Sequence, residues 1–107
     1  MEHRKLTVGT LWVDGTALTL KYATVMVVHK PGLAEPDWEC IAFTLDQPIL
    51  GHGAHALEAT TLDGPDLVGP LVGGSAVLVR SVPDPTGGAS HVWRGAGPLS
   101  GLDDPAR

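Results

Sequence analysis

The sequence predicts an all-β fold: a small antiparallel barrel or sandwich of about six to seven strands on residues 1–97, with residues 98–107 as a flexible tail. Three observations carry this. Asp14-Gly15 stands between two alternating apolar runs. That is the strongest short-range hairpin signal, because a type I′ turn needs φ > 0 at both central residues. Apolar, β-branched runs recur, as in Val25-Met26-Val27-Val28 and Ala76-Val77-Leu78-Val79. Fourteen Gly and nine Pro fall between such runs rather than in one block, which punctuates the chain into short strands and turns.

Taken in order, residues 1–6 lead into the first strand. With Asp14 and Gly15 as the loop, Val13 faces Thr16, Leu11 faces Leu18, Gly9 faces Leu20 and Thr7 faces Tyr22. Trp12, Thr10 and Val8 then lie on the opposite, mostly polar face. Neither Pro nor Gly interrupts Ala17 to His29. A strand that long bends and pairs with different neighbours at its two ends. Its apolar run needs cover on both faces, from a sheet, a helix or a second subunit.

KPGLAEPD (30–37) is a loop, and Trp38 to Leu45 alternates as the next strand. The bulk of Ile41, Phe43 and Leu45 places that set inward, and Trp38, Cys40, Ala42 and Thr44 outward. Residues 49–56 read as a glycine-containing connector, and His55 to Leu62 as a strand, although HALEA is good helix-forming sequence. Asp63-Gly64 marks a turn that Pro65 lengthens. Gly69 and Pro70 interrupt residues 66–74 too heavily for a central strand. Ser75 to Val82 is a strand, residues 83–88 a loop, and His91 to Gly95 a short last strand. TLWVDGTAL…VMVVHKP is echoed by ATTLDGPDL…AVLVRSVP. The echo describes two meander halves of one barrel, or a chance likeness among β-rich segments.

At 107 residues the chain buries one core without staples. Only 18% of its residues are charged and its mean hydropathy is +0.12, so part of the surface is expected to be covered, in an oligomer or against a ligand. A net charge of −5 offers nothing to neutralise a run of phosphates, which excludes nucleic acid as a partner. No apolar segment reaches the ~18 residues of a membrane helix, and the charged start lacks an apolar signal core. Cys40 is the lone cysteine, which rules out an internal disulfide and suits a reducing cytoplasm. The Gly, Ala and Val content is that of a high-GC bacterial genome, a matter of codons rather than of function.

No GxSxG, P-loop or GxGxxG fingerprint occurs, and no cofactor is expected. His52 and His55, three apart in a glycine loop, are candidate metal ligands. The alternative is a pair of surface histidines, since no third ligand is placed near them. Cys40 sits among apolar neighbours on a strand and is expected to be a buried, inert thiol. His29, Glu39 and His91 are the candidate polar groups of a cofactor-free catalytic pocket. Trp12, Trp38 and Trp93 are candidate ligand-binding residues, because the expected facing puts all three opposite the main apolar face, on a second buried surface.

Two functions from different classes follow. One is a β-barrel that binds an apolar small molecule, as a carrier or a cofactor-free enzyme. The other is a non-enzymatic module that forms a homo-oligomer, a dimer in its simplest form, through an apolar strand face. A barrel this small fills with its own side chains, so a ligand site is expected at a subunit interface rather than inside one chain.

Overall fold

The computed structural model describes residues 2–32, 35–62 and 68–101, and their regular structure is entirely strand. In chain order these are β1 (Glu2–Val13), β2 (Thr16–Ala17), β3 (Leu20–His29), β4 (Asp37–Thr44), β5 (Gly53–Leu62), β6 (Val68–Pro83) and β7 (Ala89–Gly95). Every pairing is antiparallel, and the ring β1-β3-β4-β7-β6-β5 closes through β1–β5 into a six-stranded barrel. The short β2 is the seventh strand. It flanks β1 on the side away from β5, since Trp12 pairs with Ala17 on one flank and Glu58 on the other.

The chain therefore folds as two meanders, β1-β3-β4 and β5-β6-β7. They are joined along two seams, β1–β5 and β4–β7. The connector 45–52 carries the chain from one half to the other, with Leu50 against the core. The expected turn at Asp63-Gly64 lies outside the described residues.

The Asp14-Gly15 turn is as expected, with φ of 51° and 86°, and it aligns Val13 with Thr16 and Trp12 with Ala17. The Leu18 amide still donates to the Leu11 carbonyl at 2.9 Å, as the expected Leu11–Leu18 pair requires. Past Leu18 the expected register fails, and β3 resumes two residues displaced, with Thr7 opposite Thr24 instead of Tyr22. An even displacement keeps each side chain on its face.

Gly9 changes the faces themselves. It is the extra residue of a bulge between the pairs Val8–Thr61 and Thr10–Thr60, so the inward set switches from Leu6 and Val8 to Leu11 and Val13. Val8 is thus buried with Leu11, not set opposite it.

The facing of β4 is the reverse of the expectation. Trp38, Cys40, Ala42 and Thr44 point into the barrel, while Ile41 and Phe43 are half-buried outside and Leu45 is exposed. The cause is complementary volume. Cys40 pairs with Trp93 and Ala42 with His91, so the small residues of β4 leave room for the large ones of β7. In a barrel this narrow, bulk cannot point inward from every strand.

Residues 68–74, expected to be too broken for a central strand, belong to β6, and residues 53–56, expected as connector, belong to β5. Glycines of β6 and β7 serve close packing. A Cβ at Gly74 would lie 2.7 Å from the Pro98 carbonyl oxygen and 3.0 Å from Trp38 Cζ2, and a Cβ at Gly95 would overlap the Trp38 indole. Trp38 is thus seated between two glycines, with its Nε1–H donated to the Gly97 carbonyl at 2.9 Å.

Residues 96–100 close the same end of the barrel. The Ala96 amide donates to Ser75 O at 2.8 Å, Ser100 and Gly73 exchange backbone bonds of 2.7 and 3.1 Å, and Leu99 is buried. Residues 102–107 lie outside the described residues.

Candidate functional site

The barrel interior is filled. Leu11, Val25, Trp38, Cys40, Leu57, Val72 and Leu99 surround a void of only about 10 Å³, room for a water molecule at most. Cys40 lies in this packing, and burial, reinforced by the Glu39 charge, pushes its thiol pKa up to about 12.

Chemistry is concentrated at the opposite end of the barrel. His91 and Ser81 are cross-strand partners on β7 and β6, so both side chains project on the inner face. His91 is fully buried, whereas Ser81 is exposed. The reason is strand length: β5 pairs with β6 only as far as Gly53–Leu78, while β6 and β7 continue to Pro83–Ala89. Ser81 Oγ lies 2.7 Å from His91 Nδ1, and His91 Nε2 lies 3.2 Å from Thr44 Oγ1.

The hydroxyl of Thr44 fixes the protons. Its one hydrogen is donated to the Asp46 carbonyl at 2.7 Å, with the Ala89 carbonyl at 3.3 Å as the longer alternative. Toward His91 it must therefore accept, so Nε2 carries the ring proton and Nδ1 presents its lone pair to the Ser81 hydroxyl. Burial lowers the His91 pKa, against a smaller upward pull from the Asp46 charge, and the ring is held neutral. The arrangement is an accessible hydroxyl hydrogen-bonded to a fixed imidazole base.

A second cluster ties β5 to the first turn. His55 donates from Nδ1 to Asp14 Oδ2 at 2.7 Å and from Nε2 to the Gly51 carbonyl at 2.6 Å, which commits both nitrogens. Asp14 also accepts the Ala56 amide at 2.8 Å. The His55 pKa is raised, first by the Asp14 hydrogen bond and then by the Gly51 carbonyl. The Asp14 pKa is lowered, first by the Ala56 amide and then by His55.

The raised His55 value means its stabilisation is complete below the ordinary pKa of 6.5 and is lost as pH rises through the folded value. Asp14 contributes above its ordinary 3.8 and loses that contribution as pH falls through its depressed value. The clamp is therefore strongest between these two ordinary values. Unfolding free energy is expected to decline as pH rises above the ordinary 6.5 and through the raised folded value of His55, with a shallower decline in His55→Gln. Equal slopes in denaturant titrations of the two proteins would show that the clamp does not couple to folding.

The other sequence candidates are dispersed. His52 is exposed, and no group of three or more metal-binding side chains occurs among the described residues. His29 is exposed at the end of β3. Glu39 is half-buried on the outer face of β4. The tryptophans do not share a surface: Trp38 and Trp93 are interior, and Trp12 is half-buried on the outer side of β1. Of these residues only His91 enters the Ser81–Thr44 chain.

The outer face of β3, β4 and β7 carries a contiguous run of apolar side chains, half-buried except for the exposed Tyr22, while Leu71, Val77, Val79 and Val82 are exposed along β6. Register places Tyr22 beside Phe43, Thr24 beside Ile41, and Ile41 beside Val92, with Met26 and Val28 further along β3. The Tyr22 and Phe43 rings stack at 4.5 Å. A groove of about 180 Å³ borders this face, lined by Met26, Val28 and Trp38 with Lys30, Asp37, Glu39 and Arg94, and Lys30 and Asp37 pair there at 3.0 Å. Compared with protein-family models, curated proteins and solved structures, the chain matches none.

Proposed function

We propose that the protein is a self-associating barrel module, a homodimer joined through the outer face of β3, β4 and β7. The observation that carries this reading is the contiguous set Tyr22, Met26, Val28, Ile41, Phe43 and Val92 on the outside of a barrel whose inside is already full. An apolar outer patch rimmed by polar groups marks an interaction surface. A two-fold axis gives the simplest partner, because one patch then covers its own copy. Glu39 and Arg94 stand opposite each other in register on this face, so the patch carries both signs of charge.

A specific observation favours small-molecule binding as a second reading. The groove beside the face has an apolar floor and four charged groups on its walls, the composition of a ligand site. Two such grooves brought together across a dimer axis would hold an apolar molecule between subunits. The free, buried Cys40 supports placing the protein in a reducing cytoplasm. Among the described residues no helix is long and apolar enough to cross a membrane.

Ile41→Lys tests the dimer. The native protein is expected to scatter light as twice 11.1 kDa at micromolar concentration, and the variant as a folded monomer, its dissociation constant raised at least tenfold, or about 1.4 kcal/mol. A native mass of one chain at that concentration would end the proposal.

A further inference from the structure

We propose that Ser81 is a nucleophile with His91 as its general base, and that the open end of the barrel is an acyl-transfer site for small activated esters. The geometry is that of an activated hydroxyl: Ser81 Oγ stands 2.7 Å from His91 Nδ1, within the reach proton abstraction requires. Thr44 is a positioning residue. By accepting from Nε2 it selects the tautomer whose free lone pair meets serine, the role a carboxylate plays in the familiar triads.

Three further features fit this use rather than a purely structural histidine. The base is buried and the hydroxyl exposed, so a substrate, and later a water in the place of the departed alcohol, approaches Nδ1 from the serine side alone. His91 packs against Trp93 with the rings tilted by 35° and their centroids 5.7 Å apart, so the imidazole has a neighbour on its inner side. Beyond Leu78 no described strand pairs with the β5 side of β6. Alternate backbone N–H groups of that overhang therefore point to an open flank, where an oxyanion is stabilised by such donors.

The step balances without a co-reactant. Ser81 Oγ attacks the ester carbonyl carbon as its proton passes to His91 Nδ1. The resulting imidazolium returns that proton to the departing alkoxide as the carbon–oxygen bond breaks, leaving an acyl-serine and an alcohol. Water, deprotonated by Nδ1, then releases the carboxylic acid, and Ser81 recovers its proton. The Asp46 charge favours the imidazolium, although less than burial opposes it.

The test uses the full chain with an alkyl fluorophosphonate, read by intact mass and peptide mapping, and p-nitrophenyl acetate, read as nitrophenolate release. Expected are one phosphonyl adduct at Ser81, none at Ser75, Ser90 or Ser100, and a loss of at least a hundredfold in nitrophenolate release for Ser81→Ala and for folded His91→Gln. Absence of an adduct, an adduct spread equally over the serines, or undiminished labelling in folded His91→Gln would each overturn the proposal. Should His91→Gln fail to fold, the nitrogen-15 shifts of histidine in the native protein decide: a bare Nδ1 supports the pair, and a protonated Nδ1 refutes it.

Discussion

Trp93→Ala is expected to lower the unfolding free energy by about 3–5 kcal/mol, the usual cost of truncating a large aromatic side chain in a closed core. Trp93 has no exposed surface and lies opposite Cys40 on the inner face. Its neighbours are strands of a hydrogen-bonded ring, which cannot collapse into the space vacated. Domains of this size are stable by roughly 5–15 kcal/mol in all, so the variant sits near the limit of folding. Trp93→Phe separates two contributions. The indole Nε1–H finds no acceptor among the described residues, and a buried unpaired donor costs about 1–3 kcal/mol. Phenylalanine keeps most of the ring and removes that donor, so its midpoint in guanidinium should lie much closer to the native protein than to alanine. Equal losses for Phe and Ala would mean that the N–H is satisfied after all.

Gly95→Ala is expected to cost about 1–3 kcal/mol, although it adds a single methyl group. That methyl would overlap Nε1 of Trp38 and lie 2.6 Å from its Cδ1 and Cε2. The indole cannot yield cheaply, because it is buried and its N–H is held by Gly97. Displacing it breaks that bond and loosens residues 96–100. Gly97→Ala is the control: nothing lies within 4 Å of its added Cβ, and a change inside about 0.5 kcal/mol is expected. If the two variants melt together, the seat of Trp38 is softer than its contacts imply.

The architecture was legible because its signals are local. Asp14-Gly15 specifies its turn through two φ angles, and the Val25–Val28 run specifies a strand whatever surrounds it. What sequence did not carry were quantities set by the far side of the barrel. Gly9 reads as one more residue in an alternation, and only its position opposite Thr60 and Thr61 makes it a bulge that swaps the faces. Ile41 and Phe43 are larger than Cys40 and Ala42, yet they are outside because His91 and Trp93 of another strand had claimed the interior. Gly73 and Gly74 acquire their meaning only when Leu57 and Glu58 are placed against the first, and Trp38 and Pro98 against the second.

The candidate site was half visible. His91 stood out by residue type, but Ser81 did not, because a serine acquires meaning only from its partner. Reading residues 83–88 as the loop between two strands and counting outward from it would have set Ser81 near His91. Thr44, from a strand in the other meander, had no such local signal.

The two seams have a kinetic consequence. Each meander forms from neighbouring segments, but β1–β5 and β4–β7 join residues about fifty positions apart, as in Thr10–Thr60 and Ala42–His91. Closing loops of that length comes before any contact along the seams rewards it, and topologies dominated by such pairings fold slowly. Until both seams close, each half exposes two bare strand edges, including the one carrying Cys40 and Trp38. Those edges are as ready to pair with a second chain as with their own. The interval between collapse and closure is therefore when this chain is most exposed to misassembly, and a faster second seam would protect it more than a deeper core.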